Sequence, residues 1–170
     1  MIKILLYIVI VLVPLLDAKG QDSDKIKWNE GKLHWDDFRG TVDSCVLHDA
    51  YACIGFSYKF KLNSKKQVRA KVYSYFMKSK SWRKFESTEL LNHEQLHFDI
   101  AEVFARKINK EFKQMIIKGV VDKREFLKRY QELSNEHDVM QDLYDNETLH
   151  GKDMEKQKEW NFLISHKLNN

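Results

Sequence analysis

His93, Glu94 and His97 stand in the order H-E-x-x-H, a spacing that gathers two imidazoles and a carboxylate if the segment is helical. Four residues of an α-helix turn about 400°, so the two histidines share a face one turn apart and both can reach one tetrahedral ion. Zn2+ suits such a donor set. Glu94, beside them, is placed to take a proton from a water polarised by the ion, whose pKa falls from about 15.7 toward roughly 7, and to pass it to a leaving amine. The expected chemistry is hydrolysis at an acyl carbon. With seven histidines in the chain, such a match arises by chance in on the order of one sequence in fifty, so the surroundings must carry part of the argument.

Catalytic zinc takes three protein ligands and keeps one position open. Glu102 lies five residues past His97, about 140° around the helix from it and about 180° from His93, and so points away; Asp99 fails on the same ground. Both are expected to orient neighbouring elements instead. Downstream stand Glu136, His137, Asp145, Glu147, His150 and His166. His150 is the preferred third ligand, because it lies in a polar segment between two helical patterns, where a side chain could be turned back toward the first helix; Glu147 is the alternative. Asp145 is read as the acceptor of a ligand imidazole's outer N–H, and Tyr144 as a donor to the developing oxyanion. Asn135 and Glu136 bear a faint similarity to the second-helix glutamate motif of thermolysin-like enzymes, but that motif expects Asp four residues after the Glu, where this chain has Met140.

The elements that must position these residues are legible in the periodicity. From Ser87 or Thr88 apolar residues recur at three and four (Leu90, Leu91, Phe98, Ala101, Phe104, Ala105, Ile108, Phe112, Met115), which predicts a helix of nearly thirty residues ending at Gly119. A second helix is expected from Asp122 to about Leu143, burying Phe126, Leu127, Tyr130, Leu133 and Met140, and a third after Gly151, burying Met154, Trp160, Leu163 and Ile164. Ahead of them, Ala52 to Leu62 and Gln67 to Met77 are rich in aromatic and β-branched residues around polar Asn63 to Lys66, an antiparallel hairpin. Trp35, Phe38 and Val42 suggest a short strand and a turn near Gly40.

At 170 residues there is room for one domain with a real core. Lys3, the apolar run from Ile4 to Leu16 and the small residues Ala18 and Gly20 give residues 1–20 the layout of a signal peptide, and thirteen apolar residues fall short of the roughly 20 a membrane span needs. Residues 21–170 then form one secreted or periplasmic domain with no stable membrane anchor. Export would put Cys45 and Cys53 in an oxidising compartment, where a disulfide between them is one reading and a pair of small buried residues the other. A net charge of +4 is too small to argue for nucleic acid, and the lysines from Lys59 to Lys84 and Lys107 to Lys128 are read as a solvated face.

Several longer motifs add to this reading: L-x-W-x-D-F-x-G from Leu33 to Gly40, Ser81 with Trp82, L-L-x-H-E-Q-x-H-F-D-I-A-E-x-x-A-R from Leu90 to Arg106, Y-D-x-E-T-x-H-G from Tyr144 to Gly151, and Q-x-x-W from Gln157 to Trp160. In these the chain resembles a bacterial family of predicted secreted zinc-dependent proteases, catalogued as a domain of unknown function and grouped with the zincin metallopeptidases. The resemblance implies a small α+β zincin-like domain, its N-terminal antiparallel sheet packed on a long active-site helix and its C-terminal half helical. It implies zinc on His93, His97 and His150, Glu94 as catalytic acid and base, and a peptide or protein substrate. The family pattern has Gly before the second histidine where this chain has Leu96, expected to face the core or narrow the cleft. By analogy with zincins, Val68 to Met77 is the candidate edge strand for an extended substrate. Rival readings are a zinc amidase acting on cell-wall peptides and a non-catalytic exported protein that binds zinc.

Overall fold

The computed structural model describes residues 23–45 and 48–169; the leader read over residues 1–20 lies outside them. Five strands and three α-helices follow in chain order, the α+β arrangement expected: β1 (Lys25–Lys27), β2 (Ala50–Tyr51), β3 (Ile54–Leu62), β4 (Val68–Met77), β5 (Trp82–Arg83), α1 (Thr88–Ile117), α2 (Lys123–Thr148) and α3 (Met154–Asn169). Among the described residues no helix is long and apolar enough to cross a membrane.

β3 and β4 form the expected hairpin, antiparallel from Ile54↔Phe76 to Leu62↔Val68. Strand alternation sends Phe56, Tyr58, Phe60, Val68, Ala70 and Val72 to one face, where they meet Ala105, Ile108 and Phe112 of α1 and Phe126, Leu133 and Tyr130 of α2. β1 pairs with the far end of β4, so the sheet runs β1-β4-β3 and β4 is its middle strand. Val68 to Met77 is therefore not the edge strand beside the site. Its unpaired stretch lies over α1, where Asn109 takes the Val72 N–H on its side-chain oxygen and donates back to the Val72 carbonyl. β2 and β5 form a separate two-stranded sheet. The segment expected as a strand around Trp35 is instead a 3-10 turn, Trp35–Asp37. Gly40 follows it because an added Cβ would stand 2.9 Å from the Ser81 carbonyl oxygen.

α1 is the spine. The Ser87 hydroxyl caps it by accepting the Leu90 N–H, and neither Gly nor Pro interrupts its 30 residues, about 45 Å of helix. One flank meets the sheet, while Leu96, Ile100 and Phe104 pack against Tyr144 of α2 and Trp160 and Ile164 of α3. Leu96 thus faces this core, one of the two places expected for it. Toward the sheet and the N-terminal segment, Asp99 accepts from Trp28 Nε1 and Gln95 Nε2, and Glu102 accepts from Ser74 Oγ and Arg106 Nε. Both acidic residues bind neighbours to the helix, as expected.

α2 buries Phe126, Leu133, His137, Tyr144 and Thr148, a stripe at helical spacing that omits Leu127, 39% exposed. On α3 the same geometry buries Gln157, Trp160 and Ile164 and leaves Met154 and Leu163 exposed; these three apolar residues were expected inside and are not. Phe112→Ala should therefore cost about 3–5 kcal/mol in denaturant unfolding, whereas Leu127→Ala should stay within about 1 kcal/mol of the unsubstituted protein.

Candidate metal centre

The two histidines of α1 meet as the spacing requires. His93 and His97 lie with ring centroids 4.7 Å apart and their Nε2 atoms 3.2 Å apart. The third group at this point is Asp145, whose Oδ1 stands 3.1 Å from His93 Nε2 and 3.0 Å from His97 Nε2. Among the described residues these three form a group whose ligand atoms all lie within 4.8 Å of one another. A tetrahedral ion with bonds near 2.0–2.2 Å holds its ligand atoms about 3.3–3.5 Å apart, so opening this triangle by a few tenths of an ångström would seat one. The residues fit zinc.

Hydrogen bonds behind the rings fix which nitrogens face the centre. Gln141 Nε2 donates to the His97 carbonyl (3.0 Å), so its Oε1, 2.7 Å from His97 Nδ1, is an acceptor and that ring nitrogen must carry the proton. On the other side Gln157 spends its Nε2 on Asn161, and its Oε1 lies 3.1 Å from His93 Nδ1. Neutral imidazoles held this way aim bare Nε2 lone pairs at the carboxylate oxygen. Three acceptors then converge, and only a cation or a shared proton can stand between them.

The electrostatics carry the same demand. With a shared proton in that place, burial opposes ionisation of Asp145, but the hydrogen bonds and charges of His93 and His97 outweigh it and hold its carboxyl far below the usual range. Burial also disfavours a charged His97, yet Asp145 and Glu94 raise its pKa on balance. Glu94, only 4% exposed, has its pKa raised by burial and by the Asp145 charge against the pull of both histidines and the Ala52 N–H. A carboxylate lifted this way is better matched to accepting and releasing a proton near neutral pH.

A cavity of about 210 Å³ opens over these atoms, floored by His93, Glu94, His97 and Asp145 and bordered by Tyr51 and His150. Asp145, read only as a support for a ligand imidazole, stands within the group itself, and His150 reaches the same cavity beside it: His150 Nδ1 is 3.4 Å from Asp145 Oδ1, its side chain half exposed, its ring edge-on to His48. The reason is that α2 does not stop at Leu143 but runs to Thr148, so Asp145 sits on a helix packed against α1. Glu147 is occupied elsewhere, accepting from Trp160 Nε1 at 2.9 Å. Tyr144 faces away from the cavity: fully buried, it stacks on His93 and gives its hydroxyl to Gln157 and the His93 carbonyl. Its expected place as oxyanion donor is not available to it. Glu136 is exposed and paired with Lys107, His137 is buried and accepts from Gln141, and His166 is an exposed residue of α3. Cys45 and Cys53 are both free thiols.

Gln141, Tyr51 and His48 belong to none of the motifs, and Gly151 enters them only as the residue before the third helix. Gln141 and Asp145 are one helical turn apart, a signal that a longer α2 would have exposed. Gly151 closes a turn in which Leu149, His150 and Gly151 all have positive φ (51°, 53° and 79°), each non-glycine costing about 1–3 kcal/mol. A Cβ on Gly151 would stand 2.9 Å from His93 Cγ and 3.1 Å from its Nδ1. Gly119 supplies the control, with φ 78° and nothing within 4 Å. Gly119→Ala should lose about 1–2 kcal/mol in denaturant unfolding. Gly151→Ala should lose more, and alone should weaken Zn2+ affinity by about 10–100-fold in a competition titration.

No curated protein and no solved structure matches the chain. A family model described as "Bacterial protein of unknown function (DUF922)" matches residues 16–151, a span that holds His93, Glu94, His97, Asp145 and the 149–151 turn. The chain belongs to the DUF922 family of bacterial proteins.

Proposed function

We propose that this protein is an exported zinc-dependent hydrolase of the zincin type, cleaving amide bonds in peptides. The observation that carries the reading is the convergence of His93 Nε2, His97 Nε2 and Asp145 Oδ1 on one point, with Glu94 buried beside them on an open cavity. His93, His97 and Asp145 would hold the ion. Bound there, it would supply Lewis acidity to the scissile carbonyl and lower the pKa of water.

The remaining work falls to the chain's own groups. Glu94 accepts the proton of the attacking water and releases it to the leaving nitrogen, its carboxylate steadied by the Ala52 N–H. Ala50, Tyr51 and Ala52 line the cavity, and β2 is paired with β5 along one edge only, so an extended backbone can add along its other edge. Tyr51 is half exposed there, and its phenol pKa is raised by burial first, then by Cys53 and last by the Glu94 charge. It replaces Tyr144 as the hydroxyl facing substrate.

His93→Ala, His97→Ala and Asp145→Ala should each lower bound zinc from one equivalent toward zero in metal analysis, while His150→Ala keeps it. Glu94→Gln should keep the zinc and lose about 100-fold or more of turnover. Casein and purified peptidoglycan are the substrates to compare: turnover of peptidoglycan alone moves the assignment to a cell-wall amidase. Stoichiometric zinc with turnover of neither leaves a zinc-containing binding protein.

A further inference from the structure

The sheet has two faces, and only one is used by the core. Strand alternation turns Ser57, Lys59 and Lys61 of β3 and Arg69, Lys71, Tyr73 and Tyr75 of β4 away from α1. The register sets Lys59 opposite Lys71 and Lys61 opposite Arg69, so two like-charged pairs face each other across the hairpin. Lys65 and Lys66 extend the charge into the turn. No acidic residue occurs anywhere between Ile54 and Met77. Among the described residues none of Lys59, Lys61, Arg69 and Lys71 makes an ion pair. Elsewhere the cations are interleaved with carboxylates, as in Lys107 with Glu136 and Arg129 with Glu111 and Glu132. This hairpin is exposed to solvent like the rest of that stretch but lacks the interleaved carboxylates.

Cross-strand like charges destabilise a hairpin, and among the described residues no carboxylate pairs with these cations to offset them. Two tyrosines stand among the cations: Lys59 and Lys71 lie 5.8 and 5.6 Å from the centroid of Tyr73, and Lys25 of β1 lies 3.9 Å from that of Tyr75. At the hairpin's end Leu62 is 48% exposed. Flexible cations around partly exposed phenols match the interfacial layer of an anionic bilayer, where Lys and Arg meet phosphate and Tyr sits at headgroup depth. A two-stranded ribbon can enter a nucleic-acid groove, but the other side of this one is packed on α1 and α2, which leaves one accessible side and favours an extended surface over a groove.

We propose that the outer face of β3 and β4 docks the protein on anionic phospholipid membranes. The face lies on the side of the sheet turned away from α1, so His93, His97 and the cavity stay open to solvent while it is engaged. Attachment is peripheral and electrostatic, with each cation contributing severalfold to affinity.

The test is co-sedimentation of the full chain with vesicles of phosphatidylcholine alone and of phosphatidylcholine with 30% phosphatidylglycerol, each at about 0.05 M and about 0.5 M salt. Binding is expected only to the anionic vesicles, and to fall at high salt. The variant Lys59→Gln/Lys61→Gln/Arg69→Gln/Lys71→Gln should lose on the order of several hundredfold in affinity. Its melting temperature should be equal to or above that of the unsubstituted protein, because the repelling pairs are gone. The charge-matched variant Lys123→Gln/Lys128→Gln/Lys158→Gln/Lys167→Gln, altered on α2 and α3, should bind nearly as well as the unsubstituted protein. Equal binding by the two variants, or equal binding to neutral vesicles, overturns the proposal. So does tight binding of a duplex DNA probe without uptake by anionic vesicles, which gives the face to nucleic acid instead.

Discussion

Three electron-pair donors facing one another across 3.0 to 3.2 Å repel unless positive charge stands between them, and much of this molecule serves to keep them there. α1 supplies two because its helical period stacks residues four apart, and α2 supplies the third because its buried stripe brings Tyr144, and with it Asp145, against the same face. Gln141 and Gln157 hold the imidazoles in the tautomer that aims both lone pairs inward. A hydrophobic cluster of Leu96, Ile100, Phe104, Tyr144, Trp160 and Ile164 lies beneath, so the polar centre rests on a packed floor. Rotating either ring away would break a buried hydrogen bond, at about 1–3 kcal/mol for the group left unpaired.

The opposite side of α1 is held by a different polar network. Leu33 N–H donates to Gln95 Oε1, Gln95 Nε2 donates to Asp99, and Trp28 Nε1 donates to the same carboxylate oxygen. Through these bonds the N-terminal segment is tied to the helix one turn from the histidines, while Phe38, Phe76 and Phe98 fill the space below. The acidic residues of α1 thus divide by angle: Glu94 turns to the cavity, Asp99 and Glu102 to neighbouring elements. A helix of 30 residues can serve a site, a sheet and two other helices because each takes a separate face of it.

What could be read from the chain alone follows how local each feature is. The H-E-x-x-H pair, the long helix and the hairpin depend on periods of four and two, and all are found where those periods put them. The third ligand position depends on where α2 stops. Tyr144 to Thr148 is polar enough to read as a loop, yet Tyr144 and Thr148 are buried and continue the stripe, so α2 runs five residues past Leu143 and carries Asp145 to the two histidines. β4 was mistaken for an edge because its second partner, β1, is a three-residue strand with no pattern of its own. Leu127, Met154 and Leu163 are apolar but sit about 100° from the buried line on their helices, a distinction composition does not make.

The last helix joins this account through the turn at residues 149–151. Gln157 Oε1 on α3 lies 3.1 Å from His93 Nδ1, Gly151 leaves room for the Cβ–Cγ–Nδ1 side of that ring, and Tyr144 of α2 stacks on its face. His97 depends on α2 alone. Displacing α3 would therefore remove one of three restraints on His93 and leave His97 untouched, so the seating of that helix trims the aim of a single imidazole.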